Sequence, residues 1–316
     1  MEKFLVSSSP HLRSGTSTQR IMLDVIIALC PALIASFVFF GPRALLLVAV
    51  TVLSCVLSEY VSRKIMKRSN TVPDLSCIVT GLLLAFNLPV SLNPLMAAFG
   101  GMVAIVVVKQ MFGGIGQNFV NPALTARIIL MNSFPADMSA WTPAFGWLNG
   151  TDATTTATPL GVLKEGGDFT FSHLDLLLGN TGGCLGETCA LALILGGMYL
   201  MVRRVISPVI PVTYLATVAV ISLIAGRDPL VDLLSGGLLI GAFFMATDYT
   251  TSPISRNGRI VYALGCGVFT MLIRMFASLP EGVSYSIVLM NILVPLIERF
   301  TLPKPFGSQK KARESK

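Results

Sequence analysis

The first apolar stretch of the chain, residues 21–40, reads IMLDVIIALCPALIASFVFF and decides the fold class. Asp24 is its only charged residue. Because an α-helix rises about 1.5 Å per residue, about 20 apolar residues are needed to cross the roughly 30 Å hydrocarbon core of a bilayer. The stretch therefore predicts a helix that spans a membrane.

The composition of the whole chain agrees with a membrane protein. Hydrophobic residues make up 53% of the 316 residues and charged residues 12%, about half the roughly 25% of charged residues in a typical soluble protein. The net charge of +7 comes from basic residues scattered between apolar stretches, so nucleic acid is not a predicted partner. With two histidines in the chain, no metal site is predicted either.

Ten apolar segments have the length of full or shortened membrane crossings. Eight are near full length and cover residues 21–40, 44–62, 95–112, 185–203, 209–225, 229–246, 260–277 and 282–300. Two shorter segments cover residues 75–88, which Pro89 closes, and residues 121–134, which Pro122 opens at the first helical position. The sequence predicts an all-α integral membrane protein with ten transmembrane helices.

The lysine and arginine positions predict the orientation, because these residues concentrate on the cytoplasmic side of bacterial membrane proteins. Ten crossings with both termini in the cytoplasm place most of the 23 lysines and arginines inside the cell. We therefore expect a multi-pass protein of the bacterial inner membrane, with its basic tail near anionic lipid. The predicted regions are the cytoplasmic N-terminus (1–20), a first membrane repeat with helices 1–5 (21–134), an extracytoplasmic loop (135–183), a second repeat with helices 6–10 (184–300) and the cytoplasmic tail (301–316).

A short internal similarity divides the chain into five spans plus five. Residues 80–86 read TGLLLAF in the third span, and residues 237–243 read GLLIGAF in the eighth. Five crossings reverse the direction of the chain, so two such repeats would be inverted relative to each other. Chance similarity between helices rich in glycine and leucine explains the pattern equally well.

The loop at 135–183 contains the sequence DATTTAT at residues 152–158. A run of threonines in a loop is ordinarily a solvated turn. Pro159 favours an extended backbone at Thr158, which would present the hydroxyl of Thr158 to a modifying enzyme. Thr158 has no histidine close by in the sequence, so we do not expect it to act as a nucleophile itself.

These seven residues resemble the flavin-attachment motif Asp-x-x-Ser/Thr-x-Ala-Thr, in which a flavin transferase links FMN through its phosphate to the last threonine. The motif is typical of a family that contains the B subunit of the sodium-translocating NADH:quinone reductase and the D subunit of the Rnf electron-transport complex. Three other stretches are similar to family signatures: RIMLDV at 20–25, NFVNPAL at 118–124 followed by Arg127, and GET at 186–188. The short N-terminus resembles the Rnf protein more than the quinone-reductase protein.

The resemblance implies a covalent FMN on Thr158, with Asp152 and Ala157 as motif residues. Thr156 stands where the motif commonly has glycine, so three further threonines compete as acceptors: Thr154, Thr155 and Thr156. The family also allows a second, noncovalent flavin or riboflavin, to which the sequence assigns no residues. The implied fold is two inverted five-helix repeats similar to urea transporters.

Two further candidates for flavin binding lie in the fifth span. A half-helix that begins at Asn121 and Pro122 would offer backbone N–H groups to an anionic ligand. Arg127 is a charge inside the membrane and is therefore a functional candidate. The alternative for Arg127 is a structural hydrogen bond to carbonyls of a broken helix. Glu187 is expected to cap the sixth span.

The implied function is that of a membrane subunit of an Rnf-type ferredoxin:NAD oxidoreductase complex, with electron transfer through FMN coupled to Na⁺ or H⁺ translocation. The chain lacks nucleotide-binding and iron–sulfur motifs, so we expect it to be inactive alone and to need other membrane and peripheral subunits as well as a flavin transferase. Two alternatives remain: a channel or secondary transporter similar to urea transporters and without a redox role, or a structural scaffold subunit.

Overall fold

The structure, a computed structural model, describes residues 17–149, 158–165, 171–277 and 281–303. Helices, and no β-strands, make up the regular structure in these ranges. In chain order they are α1 (Thr18–Phe40), α2 (Pro42–Ile65), α3 (Ser76–Phe86), α4 (Pro94–Met102, continued by a π-helix at Val103–Gln110), α5 (Pro122–Ser133), α6 (Pro135–Met138), α7 (Gly146–Asn149), α8 (Pro159–Glu165), α9 (His173–Leu178), α10 (Ala190–Val202), α11 (Val209–Ile224), α12 (Pro229–Leu234), α13 (Leu238–Ile240, continued by a π-helix at Gly241–Met245), α14 (Arg256–Phe276) and α15 (Val283–Thr301). A 3₁₀ turn at Val72–Asp74 precedes α3.

Four helices are long and apolar enough to cross a membrane: α1, α2, α14 and α15. Four others are apolar but shorter, namely α3, the combined helix of α4 and its π-helical continuation, α10 and α11. Large hydrophobic side chains such as Ile34, Leu57 and Phe276 lie exposed on the long helices, as expected for faces that contact lipid. The prediction of an all-α membrane protein is confirmed, whereas the count of ten crossings stays a prediction.

Helices pack closely within each half of the chain, and other contacts join the two halves. Within the halves, α2 packs against α3 and α4, and α14 packs against α11 and α15; between them, α1 packs against α10 and α5 against α15. The contact between α1 and α10 depends on Gly196, because a Cβ atom there would lie 2.2 Å from the carbonyl oxygen of Ala28. Small residues allow such close approach between helices in lipid.

Two predicted spans are interrupted in the structure. The segment 229–246 divides into α12 and α13, because Ser235–Gly237 leaves the helix and Gly236 adopts a φ of +67°. The segment 185–203 becomes helical only at Ala190. Both predictions followed apolar length alone, and apolar length does not distinguish a continuous helix from a broken one. Both breaks lie beside one small pocket.

Candidate functional site

The predicted acceptor threonine, Thr158, immediately precedes α8. Its Oγ1 atom accepts a hydrogen bond from the backbone N–H of Gly161 at 3.1 Å, and the residue is only 7% exposed. A Cβ atom on Gly161 would lie 3.2 Å from this oxygen. The sequence predicts an accessible hydroxyl at this position, and the structure differs because the oxygen turns back to bond the first turn of α8.

The other motif residues, Asp152, Thr155, Thr156 and Ala157, lie outside the described residues, as does Thr154. Their predicted roles stay predictions. Thr158 is therefore the motif residue whose surroundings can be described.

Thr158 lines a small, polar pocket of about 20 Å³, which we call the Thr158 pocket. A volume of this size holds about one water molecule. The polar side chains that line it come from separate parts of the chain and are those of Thr158, Thr181, Glu187, Thr188, Ser235 and Glu281.

Behind this pocket lies Arg127, which is 2% exposed. Its Nη1 atom is 3.0 Å from Oε1 of Glu187, and its Nη2 atom donates a hydrogen bond to Oε2 of Glu281. Both carboxylates are also buried. One guanidinium thus bridges two acidic side chains that are far apart in sequence.

Two more side chains complete the surroundings of Arg127. Its Nη1 donates to Oδ1 of Asn87 at 2.5 Å, and Nη2 approaches Sγ of Cys184 at 3.5 Å. The thiol of Cys184 in turn lies 3.3 Å from the carbonyl oxygen of Asn87. The alternative in which Arg127 bonds backbone carbonyls of a broken helix does not describe these contacts, because they are made to side chains. We call Asn87, Arg127, Cys184, Glu187 and Glu281 the Arg127 cluster.

A second buried arginine lies next to the cluster. Arg274 donates to the carbonyl oxygens of Asp232 at 2.6 Å and Ser235 at 3.1 Å, and so holds the backbone of the broken α12–α13 segment. The carboxylate of Asp232 accepts two hydrogen bonds from Arg227, both at 2.9 Å. Both oxygens of the Asp232 carboxylate therefore have hydrogen-bond donors.

Several buried polar atoms around the Thr158 pocket have no hydrogen-bond partner among the described residues. They are both carboxylate oxygens of Glu187 and the hydroxyls of Thr188 and Ser235. Buried polar groups in proteins are nearly always hydrogen-bonded, and exceptions mark positions that hold water or have a function. The pocket therefore has donors and acceptors for a polar group that it would hold.

Asn121 lies elsewhere, at a second and larger cavity of about 380 Å³, which we call the Asn121 cavity. The Oδ1 atom of Asn121 accepts from the N–H groups of Ala123 at 3.0 Å and Leu124 at 3.2 Å. The predicted free N–H groups at the start of α5 are thus already bonded by this side chain. Asn121 and Arg127, predicted together, therefore lie apart: Asn121 lines this cavity, whereas Arg127 contacts Glu187 and Glu281.

The Asn121 cavity is mainly apolar and has charged groups on two walls. On one wall, Nζ of Lys109 is 2.7 Å from both Glu59 and the Ser76 hydroxyl. On the other, the carboxylate of Asp248 accepts a hydrogen bond from the Thr250 hydroxyl at 3.1 Å. This arrangement suits a ligand with apolar faces and polar edges.

The sequence singled out Thr158 and Arg127, whose roles stay predictions, but not most of the side chains that surround them. Glu187 does not cap α10, since it pairs with Arg127, and α10 begins at Ala190. No sequence pattern indicated that Asn87, Cys184 and Glu281 contact Arg127. The buried position of Arg127 in an apolar segment indicated that acidic partners must exist, but not which residues they are.

The fold and these sites define a polytopic helical membrane protein with a buried ion-pair cluster between its two halves. The NQR2, RnfD, RnfE family matches residues 5–307. The chain belongs to this family, and the resemblance deduced from its motifs is confirmed.

Three relatives illustrate the similarity. The chain is 50% identical over 314 residues to the D subunit of the Na(+)-translocating ferredoxin:NAD(+) oxidoreductase complex of Acetobacterium woodii, covering 98% of each protein. It is 41% identical over 323 residues to the D subunit of the proton-translocating ferredoxin:NAD(+) oxidoreductase complex of Clostridium ljungdahlii, covering 97% of each. It is 38% identical over 330 residues to the D subunit of the ion-translocating oxidoreductase complex of Stutzerimonas stutzeri, covering 92% of this chain and 93% of that protein.

Proposed function

We propose that this chain is a membrane subunit of an Rnf-type ferredoxin:NAD oxidoreductase complex and passes electrons through FMN esterified to Thr158, in a pathway coupled to Na⁺ or H⁺ translocation. The observation that carries the proposal is that Thr158, the last residue of the motif, lines a polar pocket above the Arg127 cluster. The names of the relatives support the complex. Other membrane and peripheral subunits complete the reaction.

The hydroxyl donors of the Thr158 pocket match the chemistry of the phosphoryl end of FMN, whereas the volume of about 20 Å³ holds about one water molecule, so the pocket has to widen to receive the phosphoryl group. The hydroxyls of Thr188 and Ser235 are at most 3% exposed and lack partners among the described residues. Arg127 and Arg274 lie behind them as positive charges. A phosphodiester is an anion that accepts hydrogen bonds from donors of this kind.

In this arrangement each side chain has a defined task. The ester on Thr158 tethers the flavin and so raises its effective concentration at one place. Thr188 and Ser235 would donate to phosphoryl oxygens of the bound group, while Glu187 and Glu281 fix the guanidinium of Arg127. The flavin, when bound, supplies the redox chemistry.

We further propose that the chain forms ten transmembrane helices in two inverted five-helix repeats, as in urea transporters. The packing of α2 against α3 and α4 has a counterpart in the packing of α11 against α12 and α14. Likewise α5 packs against α4 and its π-helical continuation, as α15 packs against α14. In this topology both termini are cytoplasmic, and residues 135–183 lie outside the inner membrane.

The Asn121 cavity is our proposed site for a second, noncovalent flavin such as riboflavin. Its volume of about 380 Å³ lies within the roughly 300–1,000 Å³ of ligand pockets. Phe243, Phe244 and Leu83 supply apolar walls for a planar ring, and Asp248 and Lys109 supply polar edges.

Flavin analysis of the denatured chain tests the proposal. The chain is co-expressed with its flavin transferase, because Thr158 is buried in the folded protein and must be reached while the chain folds. We expect the denatured band to fluoresce under ultraviolet light, and peptide mapping to find FMN on Thr158. In Thr158→Ala the band should be dark, while noncovalent flavin is still released from the Asn121 cavity.

The control is Thr181→Ala, which removes another hydroxyl from the same pocket but should keep the fluorescent band. A dark wild-type band would favour the transporter alternative. Fluorescence retained in Thr158→Ala would assign the ester to Thr154, Thr155 or Thr156. Flavin present but unimportant for electron transfer would favour the scaffold alternative.

A further inference from the structure

The two acidic residues of the Arg127 cluster differ in their hydrogen bonds. Glu281 accepts a hydrogen bond from Arg127. Glu187 lies 3.0 Å from the same guanidinium, yet neither of its oxygens accepts a hydrogen bond from any described residue. A buried carboxylate is stable as an anion only when donors satisfy it. Glu187 has one guanidinium beside it but accepts no hydrogen bond among the described residues.

The two carboxyl groups also lie close to each other. Cys184, Glu187 and Glu281 each place one side-chain sulfur or oxygen atom within 4.8 Å of those of the other two. Two carboxylates so close in a buried place do not both ionise readily, and a proton added to one belongs to the pair. Glu187, without donors, is the member that would carry it.

The charged groups around Glu187 and Glu281 do not take the place of a proton in satisfying Glu187. Arg127, from α5, is shared between both carboxyl groups. Arg274, from α14, lies near Glu281 across Gly236 but makes its hydrogen bonds to backbone carbonyls. Asp232 and Arg227, the next charges outward, pair with each other. Because the guanidinium of Arg127 already lies against both carboxyl groups, a metal cation there would face direct repulsion.

We propose that Glu187 and Glu281 form an exchangeable proton-binding site, with the proton on Glu187 and the Thr158 pocket as its route to water. The pocket holds about one water molecule in volume and is lined by Glu187, Thr188 and Ser235. These side chains provide the polar partners that a buried water requires. The ligand of the site is the proton itself.

The role of the site in electron transfer rests on the proposed function. Reduction of a flavin tethered at Thr158 would add negative charge near the pocket. The O–H bond of Glu187 would then break, its proton would pass through the pocket water to the reduced flavin, and Glu187 would remain as a carboxylate beside Arg127. When the electron leaves, the flavin would release that proton, which would return through the same water to Glu187.

Infrared spectroscopy tests the site without the covalent flavin. In Thr158→Ala protein at pH 7 we expect the C=O stretch of a protonated carboxylic acid, which shifts to lower frequency in D₂O. Glu187→Gln should remove this band, and Glu281→Gln should shift it. The matched control is Asp232→Asn, because Asp232 is a buried carboxylate that accepts two hydrogen bonds from the guanidinium of Arg227; the band should survive there. A spectrum unchanged by Glu187→Gln would overturn the proposal.

Stability provides a second readout in case a spectrum is ambiguous. Glu187→Gln replaces a neutral acid by a neutral amide, so its unfolding midpoint at pH 7 should match the wild type. Glu281→Gln removes an anion bonded to Arg127 and should lower the midpoint clearly. An equal fall in the unfolding midpoint of Glu187→Gln and Glu281→Gln would contradict a proton on Glu187.

In flavin-loaded wild-type protein the flavin midpoint potential should change with pH more steeply than in Glu187→Gln. Equal slopes would refute the role in electron transfer, while the infrared result on Thr158→Ala would still decide the proton site. Failure of flavin attachment leaves the infrared experiment intact.

Discussion

Removal of the Arg127 charge should destabilise the chain more than removal of any partly exposed arginine. We consider Arg127→Met, which keeps a long, unbranched side chain and removes the guanidinium. Glu281 then loses its ion pair and Glu187 its nearby positive charge, with the two acidic side chains at most 7% exposed. Asn87 also loses the donor that contacts it at 2.5 Å.

The expected magnitude follows from these contacts. Breaking a buried ion pair by removing one partner costs about 3–5 kcal/mol, because a charge is left uncompensated in an apolar region. Since about 1.4 kcal/mol corresponds to a factor of ten, the folding equilibrium should fall roughly a hundred- to several-thousand-fold. The control is Arg203→Met, since Arg203 is 43% exposed and 3.3 Å from Asp24. Partly exposed pairs of that kind contribute about 0–1 kcal/mol.

In the assay, purified protein is unfolded in mixed micelles of detergent and SDS. The extent of unfolding is measured by the labelling of cysteines with a thiol-reactive dye. Cys30 is exposed and Cys189 partly exposed, so both are first replaced by serine, whereas the four buried cysteines react only when the chain opens, namely Cys55, Cys77, Cys184 and Cys266. A loss below about 1 kcal/mol for Arg127→Met, equal to that of Arg203→Met, would refute the reasoning. Adding Glu187→Gln and Glu281→Gln to Arg127→Met should restore most of the lost stability, because no buried charge then remains unpaired.

Two other predictions concern packing and pH. Gly196→Ala should cost about 1–3 kcal/mol in the same unfolding assay, because its Cβ would lie 2.2 Å from the backbone of Ala28, while Gly183→Ala, whose Cβ would meet its nearest neighbour at 3.9 Å, should be nearly neutral. The hydrogen bond from His173 at 2.7 Å lowers the pKa of Asp228 below its usual 3.8. Asp228 is then ionised in the folded protein at pH values where the unfolded chain binds a proton, so the contribution of the pair is present above pH 3.8 and is lost as the pH falls through the lowered pKa. Unfolding midpoints of wild type and Asp228→Asn should therefore differ at pH 5 and converge at lower pH, and a constant difference would contradict this assignment.

The sequence predicted some local features correctly for a physical reason. Residues 21–40 are apolar without interruption except at Asp24, and the structure places them in the helix Thr18–Phe40. The start of α5 at Pro122 follows from the fixed φ of proline and the capping side chain of Asn121. Apolar length misled the prediction where glycines allow the backbone to leave the helix, as at Gly236.

The Thr158 motif was also visible in the sequence, but its surroundings were not. A run of threonines before a proline predicted an accessible hydroxyl, whereas the fold buries that hydroxyl against Gly161. Burial depends on neighbours such as Thr188 and Ser235, which approach only when the chain folds.

Taken by itself, the amino-acid order determined that the chain is a helical membrane protein and that it resembles one family, because apolar runs and short motifs are local properties. The tertiary structure alone decided that Asn87, Glu187 and Glu281 surround Arg127. A charge inside a membrane requires partners, but any acidic residue near the end of a span could meet that requirement as far as the sequence shows. The packing of the broken helices selects which of them meet, since only the folded chain sets the distance between residues that are dozens of positions apart.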